Sequence, residues 1–127
     1  MGTQFIPQGD IKLTITACRL ATTGTSLDVT ASGSNLTKRL TANINGAFSL
    51  DSVTGSLNDR VLVKDQSNPI DNGVHYIAVV GDINTPYVLM RTSDTNSSNT
   101  LSSGMTVSVN SGTINIGEIF TVLTPNP

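Results

Sequence analysis

Val74-His75-Tyr76-Ile77-Ala78-Val79-Val80 carries the strongest β signal in the sequence. It holds no Gly or Pro and is rich in β-branched and aromatic side chains, which suit a pleated surface. Asp71-Asn72-Gly73 stands before it and Gly81-Asp82-Ile83-Asn84-Thr85-Pro86 after it, both of turn composition. It therefore reads as the longest strand, with Tyr87-Val88-Leu89-Met90-Arg91 returning beside it. Upstream, Val61-Leu62-Val63 is the short, wholly apolar run expected of a strand buried on both faces.

The same pattern extends in both directions. Ile11 to Cys18 alternates apolar and polar residues, as do Leu27-Val29-Ala31 and Leu36 to Ile44. Asn45-Gly46 is a strong hairpin signal, because a type I′ turn needs positive φ at both central residues; Ala47 to Leu50 is expected to return from it. Asn72-Gly73 is likewise expected to turn tightly and set the register of the next strand. Met105 to Val109, Thr113 to Ile116 and Ile119 to Leu123 complete the set. The expected architecture is a single all-β domain over residues 11–127, a sandwich or flattened barrel of about nine short, mostly antiparallel strands. Residues 1–10, with Pro7 and Gly9, read as an N-terminal arm.

Composition agrees. The 127 residues include 18 Thr, 14 Ser, 12 Asn and 11 Gly, but one Glu and three Lys. A solvated helix surface is normally built from Glu, Lys, Gln, Arg and Ala, and this chain is short of them. Net charge is −2, which argues against a partner recognised through phosphate charge, so no nucleic acid is expected. No apolar run approaches the roughly 18 residues that span a bilayer. Met1 to Pro7 lacks the basic and apolar regions of a secretory signal, so folding in a cytoplasm is expected. The lone cysteine, Cys18, cannot form an internal disulfide and reads as a small buried apolar side chain.

Chemistry-bearing residues are sparse. His75 is the only histidine, so a His-His metal site or a histidine pair cannot form within one chain. Asp65, Asn68, Asp71 and Asn72 fall within eight residues, but the spacing is not that of a calcium loop, and Asp and Asn favour turns for backbone reasons. Asp59 is expected to close a turn while Arg60 makes a side-chain pair across the loop; Lys38-Arg39 reads as a solvated basic spot. No cofactor, no metal and no enzymatic activity are expected. Aromatic residues are few, which weakens sugar-binding and single-strand readings. Residues 92–104 form a long polar loop with Leu101 as its one apolar member.

Asp51-Ser52-Val53 through Asn58-Asp59-Arg60-Val61-Leu62-Val63-Lys64-Asp65-Gln66 resembles a pattern found in bacteriophage tail-fibre and other virion structural proteins. That pattern runs Ile-Asp-Gly-Val-x-Leu-x-x-Gly-Asp-Arg-Val-Leu-Val-Lys-x-Gln, then an Asn-Gly-Val/Ile-Tyr step, then Leu-x-Arg-x-x-Asp. Here Asn72-Gly73-Val74-His75-Tyr76 and Leu89-Met90-Arg91-Thr92-Ser93-Asp94 follow in the same order. Asn58 stands where Gly is usual, His75 is inserted before Tyr76, and Phe120 stands where Trp is frequent. The resemblance covers about residues 18–124 and carries no catalytic residues. It implies a β-rich virion module acting by assembly with other capsid or tail subunits. A capsid decoration or cement protein, or a small tail, fibre or neck component, is the expected role, assembled in a host cytoplasm. Homo-oligomers are expected, trimers above all. Phe5, Ile6 and Pro7 are the expected docking arm. The alternative is a receptor- or glycan-binding module of a virion that uses the 92–104 loop.

Overall fold

The computed structural model describes residues 15–34, 37–93 and 105–122. The expected docking arm (Phe5, Ile6, Pro7), the pattern's Asp94 and most of the long polar loop lie outside these residues.

The chain is all-β. Among the described residues ten strands follow in order: β1 Leu20–Ala21, β2 Val29–Ser32, β3 Arg39–Ala42, β4 Ser49–Leu50, β5 Val53–Thr54, β6 Arg60–Val63, β7 Gly73–Val79, β8 Val88–Arg91, β9 Thr106–Ser108 and β10 Ile119–Thr121. Six of them form one sheet in the order β1-β6-β7-β8-β3-β2, which is open and not closed into a barrel. Every pairing in it is antiparallel except β1 with β6. The longest strand, β7, lies at its centre, with β6 and β8 as neighbours.

Successive residues of a strand point to opposite faces, so the register assigns the core. Leu20, Val61, Val63, Ile77, Leu89 and Leu40 share one face and bury Phe48 against it. Ala21, Leu62 and Val74 share the other and meet Cys18, Val107 and Val109. All three apolar residues of β6 are buried, as a strand between two layers requires.

The first face is covered by the β4–β5 hairpin. Its two-residue turn is Asp51-Ser52, with φ of 51° and 69°, the left-handed pair of a type I′ turn. The Phe48 ring meets Tyr87 edge-on, with centroids 4.9 Å apart. Gly55 lies beneath this ring: a Cβ there would come within 2.4 Å of the Ile77 side chain.

The second face is covered, over β1, β6 and β7, by a smaller layer. Residues 15–19 run parallel to β9, bridged at Cys18 and Val109, and β10 pairs antiparallel with β9. The Ile15 N–H bonds Thr106 and the Cys18 N–H bonds Ser108 in this layer. One residue later the Arg19 N–H bonds Arg60, so the chain passes from the small layer into the large sheet within one residue.

Three expectations are corrected. Asn45-Gly46 does not close a hairpin: β3 pairs with β2 and β8, never with β4. The Gly46 N–H bonds Thr85 and the Phe48 N–H bonds Val80, so the chain crosses over to the β7–β8 end and buries Phe48. Burying that ring outweighs the local turn preference. Asn72-Gly73 is not a tight turn either, since Gly73 is the first residue of β7 and Asn72 is extended at φ −77°, ψ 154°. Thr113 to Ile116 is not a strand. The Asp51 carboxylate accepts hydrogen bonds from the Ile114 and Asn115 N–H groups at 2.8 Å, and the Asn115 side chain donates to the Ala21 and Thr22 carbonyls. These bonds curl the segment against the end of β1 instead of laying it along a sheet.

Candidate functional site: a buried polar node under the motif residues

The residues of the virion-like pattern divide into two groups, one at each end of β6. At its start, Asp59 accepts from the Ser56 N–H at 2.8 Å and from Arg19 at 2.5 Å. Asp59 thus closes its turn, as expected. Arg60 donates to the Thr16 carbonyl at 3.0 Å, which ties the small layer to the large sheet. Asn58 precedes them with φ of 71°.

At the other end of β6, Lys64 and Asp65 form an ion pair at 3.0 Å, and the Lys64 ammonium also lies 4.9 Å from the centre of the Phe120 ring. Burial by itself raises the Asp65 pKa, but the Thr22 hydroxyl, Lys64 and the Gly24 N–H outweigh it and hold the carboxyl below its ordinary range. The next residue, Gln66, is engaged from both ends. Its amide oxygen accepts from the Leu27 N–H at 2.7 Å, its amide nitrogen donates to the Leu27 carbonyl at 3.3 Å, and its own N–H donates to Asn72 Oδ1 at 2.9 Å. Gln66 thereby ties the loop after β6 to the approach to β2. Gln66→Ala is expected to cost about 1–2 kcal/mol, two part-buried hydrogen bonds at ordinary worth, measurable as a lower urea midpoint with an unchanged slope.

The second group gathers around His75. Arg91 and His75 are cross-strand partners on β8 and β7, and both are buried. Arg91 donates to the Asn72 carbonyl at 2.8 Å and to the Ile70 carbonyl at 3.3 Å. Its guanidinium lies on Gly73, where a Cβ would sit 2.8 Å from Arg91 Nε, and the Gly73 φ of 147° also disfavours a side chain. The Asn-Gly step and the distant arginine of the pattern are therefore one structural device: the glycine leaves the space that the arginine fills. Beside them Lys38 pairs with Asp71 at 2.8 Å. The expectation of a solvated basic spot is thus half right: Arg39 is exposed, but Lys38 is buried. Sequence gave no signal for this, because Asp71 lies 33 positions away.

His75 Nδ1 lies 3.0 Å from the Gly73 carbonyl, which can only accept, so Nδ1 carries the proton. Nε2 is buried without a hydrogen-bond partner among the described residues. Burial, reinforced by the positive charges of Arg91 and Lys38, pushes the His75 pKa down to about 3, against a smaller opposing pull from the Gly73 carbonyl. The imidazole is neutral and inaccessible.

Asp65, Asn68, Asp71 and Asn72 do not converge on one point. Asp65 faces Thr22 and Lys64, Asn68 caps the short 3-10 turn Pro69–Asp71, Asp71 holds Lys38, and Asn72 holds Gln66. Among the described residues no three His, Cys, Asp or Glu side chains group as metal ligands. No helix there is long and apolar enough to cross a membrane. Arranged this way, the motif residues hold strands and loops together; the arrangement is that of a scaffold. No family model, no curated protein and no solved structure matches the chain.

Proposed function

We propose that this chain is a virion structural protein that acts by assembly, as a capsid decoration or cement protein or as a small tail, fibre or neck component. One observation carries the reading. The virion pattern has Gly at the positions held here by Ser52 and Asn58, and these two residues have φ of 69° and 71°. They are two of only three non-glycine residues with positive φ among those described. Such backbone favours glycine for steric reasons, so the pattern's glycines coincide with the turns that need them. The packing of Arg91 on Gly73 accounts for a third pattern glycine in the same physical terms.

The test is mass spectrometry of purified virus particles from the source that encodes the chain. Peptides from this protein co-purifying with particles in fixed stoichiometry are the expected result. Absence from the particles overturns the reading.

A further inference from the structure

The chain holds two Asn-Gly steps, Asn45-Gly46 and Asn72-Gly73, which are alike in sequence and unlike in structure. Asparagine before glycine is chemically labile, because the glycine nitrogen can attack the asparagine side-chain amide with no Cβ in its way. In a folded chain the rate depends on how firmly both groups are held.

Asn72-Gly73 is held from several sides. Asn72 Oδ1 accepts from the Gln66 N–H at 2.9 Å, its own N–H donates to the Pro69 carbonyl at 3.1 Å, and its carbonyl accepts from Arg91 at 2.8 Å. Gly73 is paired with Val63 in the sheet, and the Arg91 guanidinium fills the space on it.

Asn45-Gly46 lies in the crossover between β3 and Phe48, outside any strand, and Asn45 is exposed. Among the described residues no hydrogen bond holds the Asn45 side chain. Asn43, two positions earlier, differs: its side chain is tied to Thr30 and Asp28. No atom lies within 4 Å of the place a Gly46 side chain would take, so the attacking nitrogen is not crowded from that side. One long bond restrains it, from the Gly46 N–H to the carbonyl of exposed Thr85 at 3.2 Å.

We propose that Asn45 is a site of spontaneous deamidation in the folded protein, with water as the co-reactant, and that the fold shields Asn72 from the same reaction. The Gly46 nitrogen loses its proton to solvent base and bonds Asn45 Cγ. The bond from Cγ to the side-chain nitrogen breaks, and that nitrogen leaves with a proton as ammonia. Water then opens the cyclic imide; no electrons are exchanged with another group. Opening at Cγ gives an ordinary aspartate. Opening at the backbone carbonyl gives iso-aspartate, with the main chain rerouted through Cβ and Cγ. Either product adds one negative charge to a chain of net −2. Iso-aspartate also adds a carbon to the main chain beside a tight contact: the Gly46 carbonyl lies so close to Gly81 that a Cβ there would collide with it. Phe48 enters the core two residues further on. This inference is independent of the assembly reading.

The experiment ages the full chain in mildly alkaline buffer, well below its melting transition, beside the same chain in concentrated urea. Both are then digested with trypsin at mildly acidic pH and mapped by mass spectrometry. Residues 40–60 and 65–91 fall on separate tryptic peptides, and fragment ions place the amide-to-acid change. In the folded chain Asn45 is expected to convert while Asn72, reacting only from locally opened chain, lags about tenfold or more. In urea the two are expected to convert at similar rates. Asn45→Gln, whose amide would have to close a larger and slower-forming ring, is expected to leave peptide 40–60 unchanged in the folded chain. An Asn45 that stays intact when folded but converts in urea, an Asn72 that keeps pace with Asn45 when folded or lags equally in urea, or a conversion in peptide 40–60 that survives Asn45→Gln overturns the proposal.

Discussion

Arg91→Leu is expected to destabilise the protein by about 3 kcal/mol, because it removes a buried charged donor and leaves carbonyls without partners. Arg91 is nearly inaccessible and donates to the Asn72 and Ile70 carbonyls, which belong to the loop between β6 and β7. Leucine restores apolar volume but neither hydrogen bond, and the space above Gly73 is shaped for a planar guanidinium. For a chain of this length the loss corresponds to a fall of roughly 10–15 °C in melting temperature. Arg91→Lys is expected to recover part of the loss, since one nitrogen, Nη2, makes both carbonyl bonds and an ammonium can also donate twice, but it lacks the planar group that packs on Gly73. Thermal melts of the two variants decide it. A drop under about 1 kcal/mol for Arg91→Leu would show that the node does not hold the loop.

Acid is expected to act on the same node through His75. Its folded pKa, about 3, lies below the ordinary 6.5, so the unfolded chain binds the proton more readily. Stability from keeping the imidazole neutral is therefore complete above pH 6.5 and is lost as pH falls from 6.5 towards 3. Each pH unit in that window costs about 1.4 kcal/mol, so unfolding at pH 4 should need about 3 kcal/mol less than at pH 7. His75 is the only histidine, the side chain whose ordinary range falls between pH 5 and 8, so the interval from pH 6.5 to 5 is where its effect is best read. Urea unfolding across that interval should lose about 2 kcal/mol, and His75→Gln should flatten the dependence. An equally steep dependence in His75→Gln would assign the acid sensitivity elsewhere.

Both effects have one cause. Lys38, His75 and Arg91 bring two fixed positive charges and one proton-accepting ring into a buried space where Asp71 is the acidic partner of Lys38. A third positive charge there would be repelled by the Arg91 and Lys38 charges that already hold the His75 pKa down, so protonation and unfolding are coupled.

Much of the architecture was legible in the order of residues. The runs at 61–63 and 74–80 announced the two central strands because apolar and β-branched side chains in short, turn-bounded stretches have few other stable arrangements in water. The run at 87–91 announced its neighbour β8, and β9 and β10 fell within their expected runs. Composition announced the all-β class. Local turn signals served less well. Asn45-Gly46 and Asn72-Gly73 look alike in sequence, yet neither forms the expected tight turn, whereas Asp51-Ser52, a poorer pair on propensity, does. Turn preferences are worth about a kcal/mol, while burying Phe48 is worth more, so packing chose the turn.

The polar node belongs to the tertiary structure alone. No spacing in the chain signals that Lys38 would lose its water to Asp71, because β3 reaches that end of the sheet through its pairing with β8, out of chain order, or that Arg91 would lie on Gly73, which depends on the β7–β8 register. The residue order marked β6, β7, β8, β9 and β10, since strand formation leans on side chains a few positions apart, but it did not mark Leu20–Ala21 or Val53–Thr54, and it marked Thr113 to Ile116, which is no strand. Only the tertiary structure decided which strands lie side by side and which buried charges meet, since those depend on the register between segments tens of residues apart.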